Sequence, residues 1–413
     1  MANSRSPLVI IFITIFIDLV GFGIVIPVLP LYAERFGASE EIIGLLIAIY
    51  SVMQFIFAPL LGRLSDRVGR RPVLLASLIG TSIGFLLMGL ADALWLLFVA
   101  RAIDGISGGN ISTAQAYIAD VTPPDQRSRG MGLIGAAFGL GFIFGPAIGG
   151  AMSMISPEAP FFFAAALAAV NATALYFRLP ESLSAEHRSQ ARERPSVVQI
   201  LKETESRTLV PVMATYFFAT VAFGLLTATY ALFANHRFNF DATHTGYMFA
   251  YLGVLGAVIQ GGLLGRLVNI FGDKPLAVAG TALLGASMFA LPMSANLLML
   301  IITSTGIAIG NSLMTPTLNG LASKSVDAAN QGRVLGVMSS AASLARIIGP
   351  AAGGWLLSRD AGNLSHYGRS PYWTGGAIMV VAFGLALFLQ PKSSGETPQA
   401  IEGQGAGDLR SDA

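Results

Sequence analysis

Long apolar stretches separated by short polar segments run along most of the chain. Twelve of them are about 20 residues long, the length at which a helix crosses a bilayer. The predicted spans are 8–32, 39–61, 73–91, 94–119, 129–154, 159–178, 208–233, 244–270, 275–294, 296–322, 332–357 and 371–390. The first is too long for a signal-peptide core and no small-residue cleavage site follows it, so we expect it to be retained. The pattern predicts an all-α integral membrane protein.

The composition agrees with this interpretation. Of the 413 residues, 54% are hydrophobic and 12% are charged, whereas a soluble domain has about 25% charged residues. The chain has no cysteine, which excludes disulfides and thiolate metal sites. Its net charge of +2 is too small to indicate a nucleic-acid partner.

The basic residues are distributed unevenly between the two sides of the predicted membrane. Of the 25 Lys and Arg residues, only Arg35, Arg237, Arg359 and Arg369 fall in loops on the outer side, and Arg101 and Arg346 fall inside spans. The remaining 19 lie in segments on the other side. Since cytoplasmic loops are enriched in Lys and Arg, we expect both termini to be cytoplasmic.

Three short motifs occur twice along the chain. The loop Gly62–Pro72 has a degraded copy at Gly265–Pro275, with Asn269 in place of Asp66. The pattern of Gly105, Ile106, Gly109 and Asn110 returns as Gly306, Ile307, Gly310 and Asn311, and Gly145–Gly150 returns as Gly349–Gly354. Repeats of this kind build carriers from matching halves, so the sequence predicts two pseudo-symmetric six-helix halves.

The polar segments divide the chain further. We predict a first half over residues 1–178, a cytoplasmic linker over 179–207 and a second half over 208–390. The tail 391–413 contains Gly, Ser and Gln and almost no apolar run, which predicts disorder.

The Gly62–Pro72 loop combines tight-turn residues with charge. Gly62 and Gly69 allow close backbone approach, and Asp66 can cap a helix or pair with arginine. We expect Arg70 to pair with Asp120 at the end of span four, and Arg71 to anchor the same side. The alternative is a basic turn that merely obeys the positive-inside rule.

Span five presents a face with almost no side chains. Gly141, Gly145, Gly149 and Gly150 permit close helix packing in lipid, and Pro146 removes a backbone hydrogen bond and bends the helix. Simple close packing explains this face whatever the function.

Charged residues within the spans are the sharpest indication of chemistry. Asp18, Arg101, Asp104 and Arg346 lie inside predicted helices, where an unpaired charge costs about 2.5–3.5 kcal/mol. We interpret Asp18 as a proton carrier with Arg101 as its charge partner and Asp104 nearby. A purely structural bridge, Asp18–Arg101 or Arg101–Asp104, is the alternative.

Polar and aromatic residues on several spans are candidates for a central substrate cavity. They are Tyr50, Gln54, Phe223, Tyr230, Gln260, Asn311 and Arg346. Each could instead serve helix packing or hydrogen bonding between helices. Arg346 shares a helical face with Ser339 and Ser343, which favours a substrate with some negative charge.

Together these motifs resemble the major facilitator superfamily, and within it the twelve-helix drug/proton antiporter branch that includes the tetracycline efflux pumps. The residues that carry the resemblance are the Gly62–Pro72 loop, Arg101 with Gly105, Gly141-x-x-x-Gly145-Pro146 and Asp18–Pro27. It covers residues 8–390. The resemblance implies that the loop latches the halves in an outward-facing state, and that span five and its copy form a flexing seam.

The chain also departs from those pumps at two positions. Gly84 stands where they have an acidic residue and Gly256 where they have a histidine, whereas Gln54 and Arg70 match. These differences and the additional Arg346 predict an altered substrate.

The expected function is export of amphiphilic small molecules in exchange for protons, by alternating access, across a bacterial inner membrane. The alternatives are a proton symporter or facilitator for a small organic anion, and a transporter-like receptor without turnover. We expect a monomer. We also expect that it needs no metal or cofactor and is not an enzyme, because the chain has no phosphate-binding loop and its four histidines lack metal-ligand spacing.

Overall fold

The structure, a computed structural model, describes residues 5–123, 127–183, 206–326 and 331–389. Within them the chain forms fourteen α-helices: α1 Arg5–Glu34, α2 Glu40–Val68, α3 Arg70–Gly89, α4 Leu94–Ser107, α5 Ile111–Val121, α6 Arg127–Ser153, α7 Ala159–Arg178, α8 Ser206–Phe238, α9 Ala242–Val258, α10 Leu264–Phe271, α11 Asp273–Ala290, α12 Leu297–Lys324, α13 Gln331–Ser358 and α14 Arg369–Leu387. The predicted tail and residues 184–205 of the predicted linker lie outside the described residues.

The prediction of an all-α membrane protein is confirmed. In the described part of the chain, eleven helical segments are long and apolar enough to cross a membrane. The predicted fourth span is also helical, but a 3-10 turn at Gly108–Asn110 divides it into α4 and α5. The eighth span carries a π-helical turn at Ile259–Leu263 between α9 and α10. Such turns are frequent at functional sites.

Local sequence accounts for several helix ends. Ser39 caps α2 by accepting a hydrogen bond from the Ile42 amide at 3.4 Å, and Glu40 and Glu41 in the first turn suit the helix dipole. Gly69, with φ of +108°, both ends α2 and precedes α3. That backbone conformation favours glycine, so the loop glycine fixes the turn between spans two and three.

The two halves use the same packing pattern. In the first, α1 packs against α6, and α3 packs against α4 and α7. In the second, α8 packs against α13, and α11 packs against α12 and α14. The repeated glycines occupy matching places: a Cβ on Gly145 would lie 2.6 Å from the Cα of Gly23, and one on Gly349 would lie 3.0 Å from the carbonyl carbon of Gly224.

The halves touch at one end of the bundle and separate at the other. We call these the Glu40 end and the Arg70 end. Contact between halves is made by α2 with α13 and by α6 with α9. Gly44 meets Gly354 and Gly150 meets Gly246, all towards the Glu40 end. Towards the Arg70 end, the helices pack within their own halves: α5 against α1, α2, α3 and α6, and α10 against α11. The central space therefore opens towards the Arg70 end.

Candidate functional site

A buried ion pair lies in the middle of the first half. Arg101 donates from Nη1 to Asp104 Oδ2 at 2.7 Å, and the side chains are 2% and 6% exposed. The Arg101 guanidinium also lies over the Tyr50 ring, 4.4 Å from its centroid. One helical turn on α4 brings the ion pair together. The expected pairing of Arg101 with Asp18 does not occur in this conformation. Arg101 pairs with Asp104 instead, as in the alternative interpretation.

Asp18 lies half-buried on α1 beside this pair. The Asn110 side-chain amide donates to its Oδ2 at 3.5 Å, and Asp104 is close enough to interact with it electrostatically. Asp18 forms no salt bridge within the described residues. Sequence reasoning missed Asn110 as a site residue, although its place in a repeated motif was a usable signal.

The 3-10 turn of span four positions the polar residues of α2. The Gln54 amide donates to the Gly108 carbonyl oxygen at 2.8 Å and lies 3.3 Å from the Tyr50 hydroxyl. On the other side of Tyr50 lies the Phe22 ring of α1, with centroids 5.4 Å apart. Close approach requires glycine here, because a Cβ on Gly109 would lie 3.0 Å from the Cα of Ala58. Tyr50 therefore lies close to Asp104 and Asp18, and Gln54 lies beside Tyr50.

The second half contributes a cation to the same region. Arg346 on α13 has an exposed side chain whose Nη2 donates to Ser343 Oγ at 3.0 Å. Tyr50 of the first half and Tyr216 of α8 are close enough to interact with it electrostatically. In the part of the chain that the structure describes, Arg346 forms no salt bridge. Tyr216 was not among the predicted residues.

The other predicted substrate residues differ in accessibility. Phe223 is half-buried. Tyr230 is 1% exposed and its hydroxyl lies 2.9 Å from Ser304 Oγ, so its ring is unavailable to a substrate in this conformation. Gln260 in the π-helical turn donates to Ser312 Oγ at 3.5 Å. Asn311 accepts a hydrogen bond from Thr315 at 3.1 Å.

The loop cluster at the Arg70 end lies within the first half. Arg70 is buried and donates to Asp66 at 2.5 Å, to Ser65 at 2.7 Å and, through Nε, to Asp120 at 3.1 Å. This pairing of Arg70 with Asp120 is the one expected from the sequence. The cluster ties α2 to α5, and Ser65 donates in turn to the Gly62 carbonyl at 2.8 Å.

The start of the linker completes this cluster. Glu181 accepts from the backbone amides of Arg70 at 2.8 Å and Arg71 at 3.2 Å, which caps the N-terminus of α3 where the helix dipole favours an anion. The Arg71 guanidinium contacts the Tyr176 carbonyl. Sequence reasoning placed Glu181 in the linker and missed this role.

The degraded copy of the loop keeps an ion pair of its own. Gly272, with φ of +81°, makes the same turn as Gly69. Asp273 then contacts Lys324 at the end of α12, the position in the repeat that corresponds to the end of α5. Asp273 follows the turn glycine here, where the first loop has Arg70, and Lys324 takes the place of Asp120. The two charges are therefore exchanged between the two copies.

The glycine face of α6 lies between two neighbours. Cβ atoms added to Gly141, Gly145 and Gly149 would meet α1 at 2.7, 2.6 and 2.9 Å, whereas one on Gly150 would meet Thr243 of α9 at 3.1 Å. A Cβ on Gly246 would in turn lie 2.5 Å from the Pro146 carbonyl oxygen. This helix therefore bridges its own half and the other half.

A sequence profile for the Major Facilitator Superfamily matches residues 11–264 and 212–411. These two overlapping matches cover both halves of the bundle. The chain belongs to the Major Facilitator Superfamily. Members of this superfamily are multi-pass membrane transporters, which agrees with the expectation of a membrane transporter drawn from the sequence.

Relatives of this major facilitator include resistance proteins of similar length. It is 34% identical to the class B tetracycline resistance protein of Escherichia coli, over 96% of this chain and 98% of that one. It is 32% identical to multidrug resistance protein 2 of Bacillus subtilis, over 95% and 97%. Among solved structures, the human organic anion transporter MFSD10 (TETRAN) superposes with a TM-score of 0.70 at 25% identity, covering 94% of this chain and all (100%) of that one.

Proposed function

We propose that the chain is a proton-driven exporter of amphiphilic small molecules that works by alternating access between its two halves. The proposal rests on the surroundings of Asp18, whose carboxylate lies within a membrane span. Its hydrogen-bond partner is an amide, and a second carboxylate, Asp104, lies nearby. An ionised group at such a depth costs about 2.5–3.5 kcal/mol. Proton binding removes that cost, so Asp18 can exist in two states as its surroundings change.

The packing of the halves supports alternating access. The Arg70 end carries most of the basic residues, and the positive-inside rule makes it the cytoplasmic end. Both termini then face the cytoplasm of a bacterial inner membrane, and the conformation is inward-facing. Opening the Glu40 end requires α2 to leave α13 and α6 to leave α9. The loop cluster around Arg70, held together within one half, is then available to engage the other half in the outward-facing state.

Proton movement supplies the driving force in this proposal. A proton from outside neutralises Asp18 in the outward-facing state, and its release to the cytoplasm accompanies substrate export. One charge crossing 100 mV provides about 2.3 kcal/mol. Arg101 and Asp104 hold the local geometry, since their pair, 2.7 Å long, leaves no free charge of its own.

The relatives support export of drugs. The proteins that match over nearly the whole chain are named for tetracycline and multidrug resistance, which does not favour the alternative of a proton symporter or facilitator for an organic anion. Gln54, Tyr50 and the exposed Arg346 surround the space in which we place the substrate, with Phe223, Gln260 and Asn311 as further contacts. We propose a monomer, as expected from the sequence.

A reconstitution experiment tests the proposal. Purified protein in liposomes with an internal pH-sensitive dye would receive a proton gradient together with tetracycline, a lipophilic cation or an organic anion. We expect substrate-dependent proton flux in the wild type and none in Asp18→Asn. The matched control is Asp92→Asn, an exposed carboxylate between α3 and α4. Transport that ignores the gradient and survives Asp18→Asn would overturn the antiport mechanism.

A further inference from the structure

Four side chains join the two halves at the Glu40 end. Glu34 at the end of α1 and Glu40 at the start of α2 belong to the first half. His236 near the end of α8 and Tyr367 between α13 and α14 belong to the second. The residues of the first half contact those of the second half, so any opening at this end must separate them.

Tyr367 forms the first contact of the set. Its hydroxyl donates to Glu40 Oε1 at 3.1 Å. Burial, and then the neighbouring Glu40 carboxylate, raise the pKa of Tyr367 above its usual range, so the phenol keeps the hydrogen that it donates. The Tyr367 ring also stacks on the His236 imidazole, with centroids 4.5 Å apart and planes 28° from parallel. This stacking holds the imidazole in one orientation.

The hydrogen bond at Nδ1 of His236 determines whether Nε2 of the neutral ring carries a hydrogen. Nδ1 lies 3.0 Å from the Leu232 carbonyl oxygen, and because a carbonyl only accepts, Nδ1 carries a hydrogen. Nε2 then faces Glu34 Oε1 at 4.0 Å. In a neutral imidazole this Nε2 presents a lone pair to the carboxylate. The contact becomes attractive when one more proton is bound between the two groups.

We propose that His236 and Glu34 form a proton-binding site that exists only while the two halves are closed at the Glu40 end. A proton bound there links α1 to α8, and opening this end destroys the site. The inference deepens the proposed proton coupling, on whose orientation it rests. Protons on the outer side would favour closure there, which is the direction in which a proton-loaded exporter must move.

Several other charged groups at this end have partners of their own. Glu40 is held by Tyr367, and Arg35 pairs with Glu158 at 3.3 Å. Arg237 donates to the carbonyl oxygens of Leu364 and Ser365. His244 pairs with Asp241 at 2.7 Å on its own half. Within the described residues, Glu34 with His236 is therefore the carboxylate–imidazole pair that crosses the boundary, with Tyr367 and Glu40 beside it.

The absence of cysteine allows a direct test by spin labelling. Labels on Asp92→Cys and Ala361→Cys, two exposed positions of opposite halves at the Glu40 end, would report its closure by electron–electron distance measurement. The measurement is made in an Asp18→Asn background, so that the proposed central proton carrier does not contribute. Lowering the pH from about 8 to about 5.5 spans the range in which imidazole titrates.

We expect acid to raise the closed-to-open ratio by about two- to fivefold, the effect of a half-exposed ion pair. The response should vanish in His236→Gln and in Glu34→Gln and persist in His244→Gln, the matched control. A response that is missing in the Asp18→Asn background, or unchanged by His236→Gln, would overturn the proposal. Loss of antiport in the liposome experiment would instead contradict the proposed function and leave this pH response as it is.

Discussion

Gly44 of α2 and Gly354 of α13 lie back to back where the two halves meet. A Cβ added to Gly44 would lie 2.8 Å from the Gly354 Cα and 2.6 Å from the Pro350 carbonyl oxygen. Real Cβ atoms do not approach backbone so closely, so closure at the Glu40 end depends on the absence of both side chains. Small residues allow helices in lipid to approach in this way.

Gly44→Leu is expected to open the Glu40 end. Overpacking of a tight contact costs about 1–3 kcal/mol, which corresponds to a fall of about five- to 150-fold in the closed-to-open ratio. The label pair at positions 92 and 361 would show the change as a longer distance. Gly384→Leu is the matched control, because an added Cβ at Gly384 meets nothing within 4 Å. An unchanged distance in Gly44→Leu would contradict this account of closure.

The buried pair of Arg101 and Asp104 should behave non-additively. Arg101→Met leaves the Asp104 carboxylate buried without its partner, and removing one member of a buried pair costs about 3–5 kcal/mol. Arg101→Met with Asp104→Leu removes both charges and should restore much of the lost stability. Thermal unfolding in detergent of the two single variants and the double variant measures the coupling. Additive losses would show that the two side chains do not stabilise each other.

Arg70→Gln is expected to destabilise the first half. The substitution removes the guanidinium that bridges Asp66 and Asp120 and leaves both partly buried carboxylates without it, at a cost of about 1–3 kcal/mol. The melting temperature in detergent should fall. Arg63→Gln is the matched control, since Arg63 is exposed and its Nε bonds only the Pro59 carbonyl, at 3.4 Å. Equal melting temperatures for the two variants would exclude a stabilising role for the cluster.

Arg346 should determine the charge preference of the substrate. Arg346→Gln is expected to raise KM for an organic anion about tenfold or more, because charged hydrogen bonds contribute about 1.5–3 kcal/mol. KM for a lipophilic cation should not rise. Arg346→Lys retains the charge but not the planar, two-pronged donor geometry, so it should restore affinity only in part. Uptake into inverted vesicles measures KM for the wild type and both variants. An equal rise in KM for the anion and the cation would refute the assignment.

Part of the loop cluster at the Arg70 end was predicted from the sequence. Arg70 pairs with Asp120 as expected, and Gly69 forms the turn between α2 and α3. Two partners that come from a different element were not predicted. Asn110 beside Asp18 and Glu181 above α3 depend on a 3-10 turn and on the path of the chain after α7. The repeated motif was a usable signal for Asn110, whereas spacing along the sequence gives no indication of the contact made by Glu181.

The sequence by itself determined the membrane class, the twelve spans, the repeat and the side on which basic residues gather, because lipid imposes length, apolarity and charge asymmetry on every span. Only the tertiary structure decided that Asn110 lies beside Asp18, which end of the bundle is closed and where His236 meets Glu34. The physical reason is that these contacts join helices from different parts of the chain. Their geometry depends on how closely the glycine faces of α2, α6, α9 and α13 let the two halves approach.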